Sequence, residues 1–152
     1  MTEKELWKQY LSAHPEDRNK TYEAWCYGSD TPDELAALTA SGIKTATASA
    51  YAFYAYEKCD LPKAGDFSII LRTDGTALCL IQTERVSVVP FMEVTAEQAY
   101  KEGEGDRSLA YWRTVHKKFF TEELAEIHQS FSEDMLVVCE EFRVIFPTGT
   151  PA

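Results

Sequence analysis

Apolar residues recur at helical spacing from the start of the chain: Leu6, Trp7, Tyr10 and Leu11 share one face of residues 3–13, and His14-Pro15 closes the run. This pattern predicts an amphipathic helix docked on a core. The chain is then polar until Tyr22, after which Ala24, Trp25, Cys26 and Tyr27 form a short apolar run ending at Gly28, which fits a strand or an ordered loop. Ser29 or Thr31 can cap a helix starting at Pro32, with Asp33 and Glu34 in its first turn and Leu35 and Leu38 on its buried side. Gly42 stops it. A second helix is predicted over residues 49–58 from Ala50, Phe53, Tyr54 and the neighbouring alanines, with Asp60-Leu61-Pro62 as its breaker.

The period then changes. Residues 67–72 and 76–89 are rich in β-formers and flank Thr73-Asp74-Gly75, which predicts a hairpin whose return strand is long and bent and ends at Pro90-Phe91. Thr95 suits the cap of a helix containing Glu97, Ala99 and Tyr100. A last strand is predicted over residues 135–146, where Leu136, Val138, Phe142 and Val144 supply a partly buried face, and residues 148–152 form a loose tail. The chain thus divides into an N-terminal helix in residues 1–20, packed on one domain in residues 21–147, and the tail. Helices and strands in this order predict an α+β fold.

Composition narrows the class. At 152 residues, with 45% hydrophobic and 26% charged residues, the chain can bury a core without staples. No apolar run has the length of a membrane span, and the start, with Glu3, Lys4 and Glu5, does not resemble a signal sequence, so a cytoplasmic location is expected. Cys26, Cys59, Cys79 and Cys139 are scattered, without a Cys-x-x-Cys pair, and are expected to be reduced core thiols. His14, His116 and His128 do not form a metal-ligand spacing, so neither metal nor cofactor is expected. The net charge of -10 argues against coating of long nucleic acid, whose affinity comes from neutralised phosphates; a nucleoside or other small neutral ligand is not repelled. Nothing in the pattern specifies an oligomeric state.

Two stretches carry candidate chemistry. In Gly42-Ile43-Lys44-Thr45-Ala46-Thr47 a lysine and a threonine lie three apart after a helix end. A regular strand points them to opposite faces, so a helical turn or a bent strand entry is needed to bring amine and hydroxyl together. The second stretch, Glu102-Gly103-Glu104-Gly105-Asp106-Arg107-Ser108-Leu109, alternates glycines with acids, so the backbone must turn and present carboxylates beside the next helix. On that helix Leu109, Trp112, Phe119 and Phe120 mark the apolar side, and Arg113, His116 and Lys117 lie within helical reach of one another.

Together these stretches resemble the ASCH-domain family, with its Gly-x-Lys-x-x-Thr motif, and in particular a longer bacterial branch sharing EGEGDRSLAYWRTVHKKFF, a WCYG-like segment, LPKAGD and VCEEFRVIF. The resemblance spans about residues 22–146. It implies a PUA-like mixed β-barrel with surrounding helices, related to RNA-binding domains, with a cleft holding the lysine motif. Some members are similar to small amidohydrolases that remove the acyl group from N4-acetylcytidine with a lysine, a threonine and a glutamate; ribonuclease activity is also attributed to the family. By motif these roles fall on Lys44, Thr47 and Glu102, with Glu104 the competing glutamate. The shorter hydrolases lack both the N-terminal helix and the Gly-Glu-Gly-Asp extension.

In a hydrolase, Thr47 would attack the acyl carbon, Lys44 would accept its proton and Glu102 would serve the leaving nitrogen. A glutamate beside Lys44 favours its charged form, so either burial outweighs the pair or a glutamate is the base. In the alternative, a binding module or single-strand ribonuclease, Lys44 and Arg107 meet phosphate, Trp25 or Tyr27 stacks on a base, and Arg113 or His116 stabilises a phosphate undergoing cleavage. The expected ligand set is therefore Trp25, Tyr27, Glu104, Arg107, Trp112, Arg113 and His116, and the expected partner a nucleoside or single-stranded RNA.

Overall fold

The N-terminal eleven-residue helix is closed by a reciprocal cap. Thr2 accepts from the Glu5 amide while the Glu5 carboxylate reaches back to the Thr2 amide, which satisfies two free donors at the start of α1 (Glu3–Ala13). In this computed structural model, which describes residues 1–147, five helices pack around a five-stranded mixed sheet. The strands are β1 (Tyr22–Trp25), β2 (Ala46–Ala50), β3 (Phe67–Leu71), β4 (Ala77–Pro90) and β5 (Leu136–Phe146), in the order β1-β3-β4-β5-β2. Only the β1–β3 pair is parallel. The expected tail, residues 148–152, lies outside the described residues.

The two central strands explain the apolar runs. β3 is buried on both faces, with Ile69 and Ile70 fully enclosed, so its sequence is continuous rather than alternating. Ile69 packs in the cluster that receives Leu6 and Tyr10 of α1, and Ile70 in the one that receives Leu35 and Ala36 of α2 (Pro32–Ala40). Burial of a side chain such as Leu6 contributes about 1.5–3 kcal/mol. A third cluster joins β5 and β2 to α5 (Leu109–Ala125) through Val137, Ala50, Trp112, Phe120 and Leu124. β4 is long because it serves both halves of the sheet, and it bends at register shifts after Leu80 and after Thr83.

One element differs from the sequence pattern. The helix expected over residues 49–58 is split into β2 and the seven-residue α3 (Tyr51–Glu57). The alanines promote helix locally, but Ala46–Ala50 pairs along Glu141–Val137 of β5, a long-range ladder that outweighs local propensity. The short run at residues 22–25 is settled as a strand by the same kind of pairing, with β3. Thr31 takes the cap position of α2 without a side-chain hydrogen bond, while Ser29 Oγ accepts from the Thr31 amide at 3.0 Å. The cysteines also divide: Cys79 and Cys139 are buried, but Cys26 and Cys59 are exposed, which corrects the expectation of four core thiols. Cys26 sits beyond the end of β1 and Cys59 between α3 and the Asp60-Leu61-Pro62 breaker, where the local apolar pattern says nothing about what covers them.

Candidate active site

The lysine and the paired glutamates are joined at the point where α4 (Ala96–Glu102) ends against the entry to β2. Thr95 caps α4 by accepting from the Gln98 amide at 3.1 Å, and Gly103 ends it in the left-handed conformation. A Cβ at position 103 would lie 3.0 Å from the Ile43 carbonyl oxygen, so glycine permits the close approach as well as the turn. The Thr45 amide donates to the Lys101 carbonyl at 2.7 Å, and the Ile43 and Lys44 amides both donate to Leu38 at 3.0 Å. Lys44 is thereby turned under Glu102 and Glu104. The bend near Gly42 is a bent strand entry.

Lys44 is 1% exposed, although lysine is ordinarily a surface residue. Its Nζ lies 3.5 Å from Glu102 Oε1, 3.4 Å from the Glu102 carbonyl and 3.2 Å from Glu104 Oε2. It also lies 5.3 Å from the Tyr27 ring centre, a cation over an aromatic face. Both oxygens of Glu102 are engaged: Oε2 accepts from Trp112 Nε1 at 2.5 Å and Gln98 Nε2 at 3.1 Å, while Oε1 faces Lys44 and His116 Nε2, each at 3.5 Å. Burial alone would raise the Glu102 carboxyl, but Lys44, His116 and the Trp112 donor outweigh it and hold the group down at about 2. His116 is fixed from its other side by a 2.9 Å contact from Nδ1 to the Trp112 carbonyl and by stacking on the Trp112 ring. Trp112, His116, Phe120 and Leu124 form a single buried stripe on α5 at four-residue spacing.

These groups meet a cavity of about 1150 Å³ to which both edge strands of the sheet contribute, β1 through Tyr22, Glu23 and Trp25 and β2 through Thr47 and Ser49. Lys44, Thr47, Glu102, Glu104 and His116 all line it, as do Trp25 and Tyr27. Trp25 meets Tyr27 edge to face at 5.1 Å, and the Tyr27 hydroxyl is tied to Thr39 Oγ1 at 2.7 Å, so Tyr27 is held while Trp25 is half-buried on the wall. Trp112 is enclosed and acts through Glu102. Arg107 and Arg113 are placed elsewhere: Arg107 donates from Nε to the Tyr100 carbonyl at 2.9 Å and stacks on the Tyr100 ring, while Arg113 donates to the Met92 carbonyl at 3.0 Å. Although Arg113 and His116 are neighbours along α5, only His116 turns into the site.

Three features had no legible local signal. Gln98 bridges the halves of the lysine motif by donating to the Thr47 carbonyl at 3.2 Å and to Glu102. Its only trace is the four-residue spacing to Glu102 on a helix. Among the described residues, Glu102, Glu104 and His116 are a group whose ligand atoms lie within 4.8 Å of one another, as a metal would require. Lys44 Nζ stands against both of these carboxylates and supplies the positive charge there. The third feature is Glu140, partly buried on the cavity wall, which accepts from Thr83 Oγ1 at 3.3 Å.

The comparisons agree with this architecture. The ASCH-domain model matches residues 23–146, and the chain belongs to the ASCH-domain family, which is associated with RNA binding. Its fold is PUA-like. The crystal structure of an ASCH domain from Lactobacillus crispatus JV V101 is similar with a TM-score of 0.87 and 32% identity, covering 93% of this chain and 92% of that one. Protein EF3133 from Enterococcus faecalis V583 is similar with a TM-score of 0.85 and 36% identity, covering 93% and 86%. The hypothetical protein PH0355, at 19% identity and a TM-score of 0.54 over 82% and 98% of the two chains, shares the fold. No curated protein matches the chain. No helix among the described residues is long and apolar enough to cross a membrane.

Proposed function

We propose that the chain is an amidohydrolase acting on an acylated nucleoside of the cytidine type, with Thr47 as nucleophile and Lys44 as the cation that stabilises the developing oxyanion. The observation that carries this is the enclosed Lys44–Glu102 pair at a cavity whose wall also presents Thr47. Two carboxylates lie within 3.5 Å of Nζ, an ion-pair geometry that supports electrostatic stabilisation rather than proton abstraction by Lys44. Attack by Thr47 Oγ1 forms the acyl C–O bond; collapse breaks the amide C–N bond, and the nitrogen leaves as the neutral exocyclic amine carrying the proton that Thr47 gave up; water then cleaves the acyl-threonine and restores the hydroxyl. Glu104 is suited to accept a hydrogen bond from the exocyclic N–H, and Trp25 to stack on the base.

The walls favour a small ligand over a polymer. Nine Asp and Glu residues line the cavity against four Lys, an environment that repels successive phosphates and tolerates a neutral base and sugar. The test is to incubate the purified chain with a panel of acylated cytidines and, in parallel, with labelled single-stranded RNA, and to separate products by chromatography. Deacylation that is lost in Thr47→Ala and in Lys44→Met, with RNA left intact, is expected. Wild-type protein that deacylates nothing but binds or cuts RNA in a Lys44-dependent manner overturns the hydrolase and replaces it with the RNA-directed alternative.

A further inference from the structure

We infer that Glu140 is the carboxylate that takes the proton from Thr47, a catalytic role distinct from that of the glutamates around Lys44; this rests on the hydrolase proposed above. Thr47 and Glu140 are directly opposed in the antiparallel β2–β5 ladder. Opposed residues project from the same face with Cβ atoms about 4.5–5.5 Å apart, within reach of a glutamate carboxyl and a threonine hydroxyl. Both residues line the cavity. On the far side of β5, Thr83 of β4 donates to Glu140 Oε2 at 3.3 Å, so the carboxyl lies between two hydroxyl-bearing strands.

The two glutamates around Lys44 are committed. Both oxygens of Glu102 are engaged, by Lys44, His116, Trp112 and Gln98, and Glu104 faces the Lys44 amine. Glu102, held low by those partners, is a poor proton acceptor. Glu140 has no ion-pair partner among the described residues. The charges that act on it, Asp66 at the entry to β3 and Glu23 of β1, are negative, and Lys63 is itself taken up by Asp66 at 2.9 Å. Tyr54 of α3, hydrogen-bonded to Ser49 at 2.8 Å, and Tyr27 also sense it. Burial first, aided by Asp66 and Glu23, outweighs the Thr83 hydrogen bond and pushes the Glu140 carboxyl up to about 7, where a general base is most effective near neutral pH.

In the step that follows, the Thr47 Oγ1–H proton passes to Glu140 as the C–O bond forms. Glu140 returns that proton to the nitrogen as the C–N bond breaks. In deacylation it accepts a proton from the attacking water, and the proton goes to Thr47 Oγ1 as the carboxylic acid departs.

The experiment compares wild type, Glu140→Gln, Glu140→Asp and Thr47→Ala on the acylated cytidine that wild type cleaves, with kcat and KM measured across neutral pH. Glu140→Gln is expected to lower kcat about 10²–10⁴-fold with KM little changed, and to remove the rise of rate through about pH 7. Glu140→Asp restores part of the rate together with that rise. As a readout independent of turnover, ¹³C-carboxyl NMR should show Glu140 titrating near neutrality, with a midpoint displaced in Thr47→Val. If Glu140→Gln keeps the wild-type rate and pH profile while Thr47→Ala is inactive, Glu140 is not the base and the hydrolase stands. If wild type cleaves no member of the panel, both fall. A Glu140 midpoint unmoved by Thr47→Val breaks the proposed contact in either case.

Discussion

Glu102 and Glu140 are the same side chain in the same cavity wall, yet one is held near 2 and the other pushed to about 7. Burial opposes charge at both. At Glu102 it is outweighed by an ammonium, an imidazole and an indole N–H; at Glu140 only a threonine hydroxyl helps, and two neighbouring acids make matters worse. The difference teaches that the partners, and not the depth, decide which carboxylate stays charged and which can exchange a proton at neutral pH.

The strongest way to break this contrast is to remove the cation. Lys44→Met leaves Glu102 buried without its main counter-charge and is expected to cost about 3–5 kcal/mol in denaturant unfolding, with a fall in Tm of about 10 °C. Adding Glu102→Gln to Lys44→Met should recover part of that loss; a double variant no more stable than Lys44→Met contradicts the pairing.

Acid should act on the same pair more gradually. Glu102 stays charged in the fold down to about 2, whereas the unfolded chain protonates near the ordinary 4.5. Its contribution is therefore present above about 4.5 and lost as pH falls from there toward 2, about 3 kcal/mol in all. Stability measured through that window should drop more steeply in wild type than in Glu102→Gln.

Glu140 should show the opposite sign. Raised from 4.5 to about 7, it binds more protons folded than unfolded, so its effect on stability worsens as pH rises between those values. Glu140→Gln is expected to stabilise by about 2 kcal/mol near pH 8 and by little near pH 5, read from paired urea unfolding curves. An equal gain at both pH values would show that ionisation of Glu140 is not what costs stability.

The smallest expected effect is geometric. Gly103→Ala places a Cβ at a φ of +74°, 3.0 Å from the Ile43 carbonyl oxygen, and should cost about 1–2 kcal/mol. Because this turn sets Glu104 beside Lys44, deacylation should fall further than stability does. Unchanged activity in a destabilised Gly103→Ala protein would mean that the turn supports the fold and not the site.

Much of the framework was legible from local pattern. The cap at Thr95, the hairpin around Gly75, the stripe of α5 and the stop at Gly42 are decided by residues close in sequence, whose propensities and periodicity act on their own backbone. The lysine motif and the glutamate run were visible as candidates, but their meeting was carried by the family resemblance, because no local rule brings Lys44 to a residue 58 positions away. Local pattern also misassigned residues 49 and 50, where an alanine-rich segment was captured by a strand partner almost ninety residues later.

The sequence by itself therefore determined the elements, their caps and the pool of chemical groups. Only the tertiary structure decided which of those groups share a surface and what charge each carries there. It turned His116 inward and Arg113 outward on one helix, enclosed Lys44 between two glutamates, and set Glu140 opposite Thr47 through the register of β2 on β5. The physical reason is that helix and strand propensities are written into neighbouring residues, whereas ionisation and reactivity depend on desolvation and on charges a few ångströms away, supplied by distant parts of the chain.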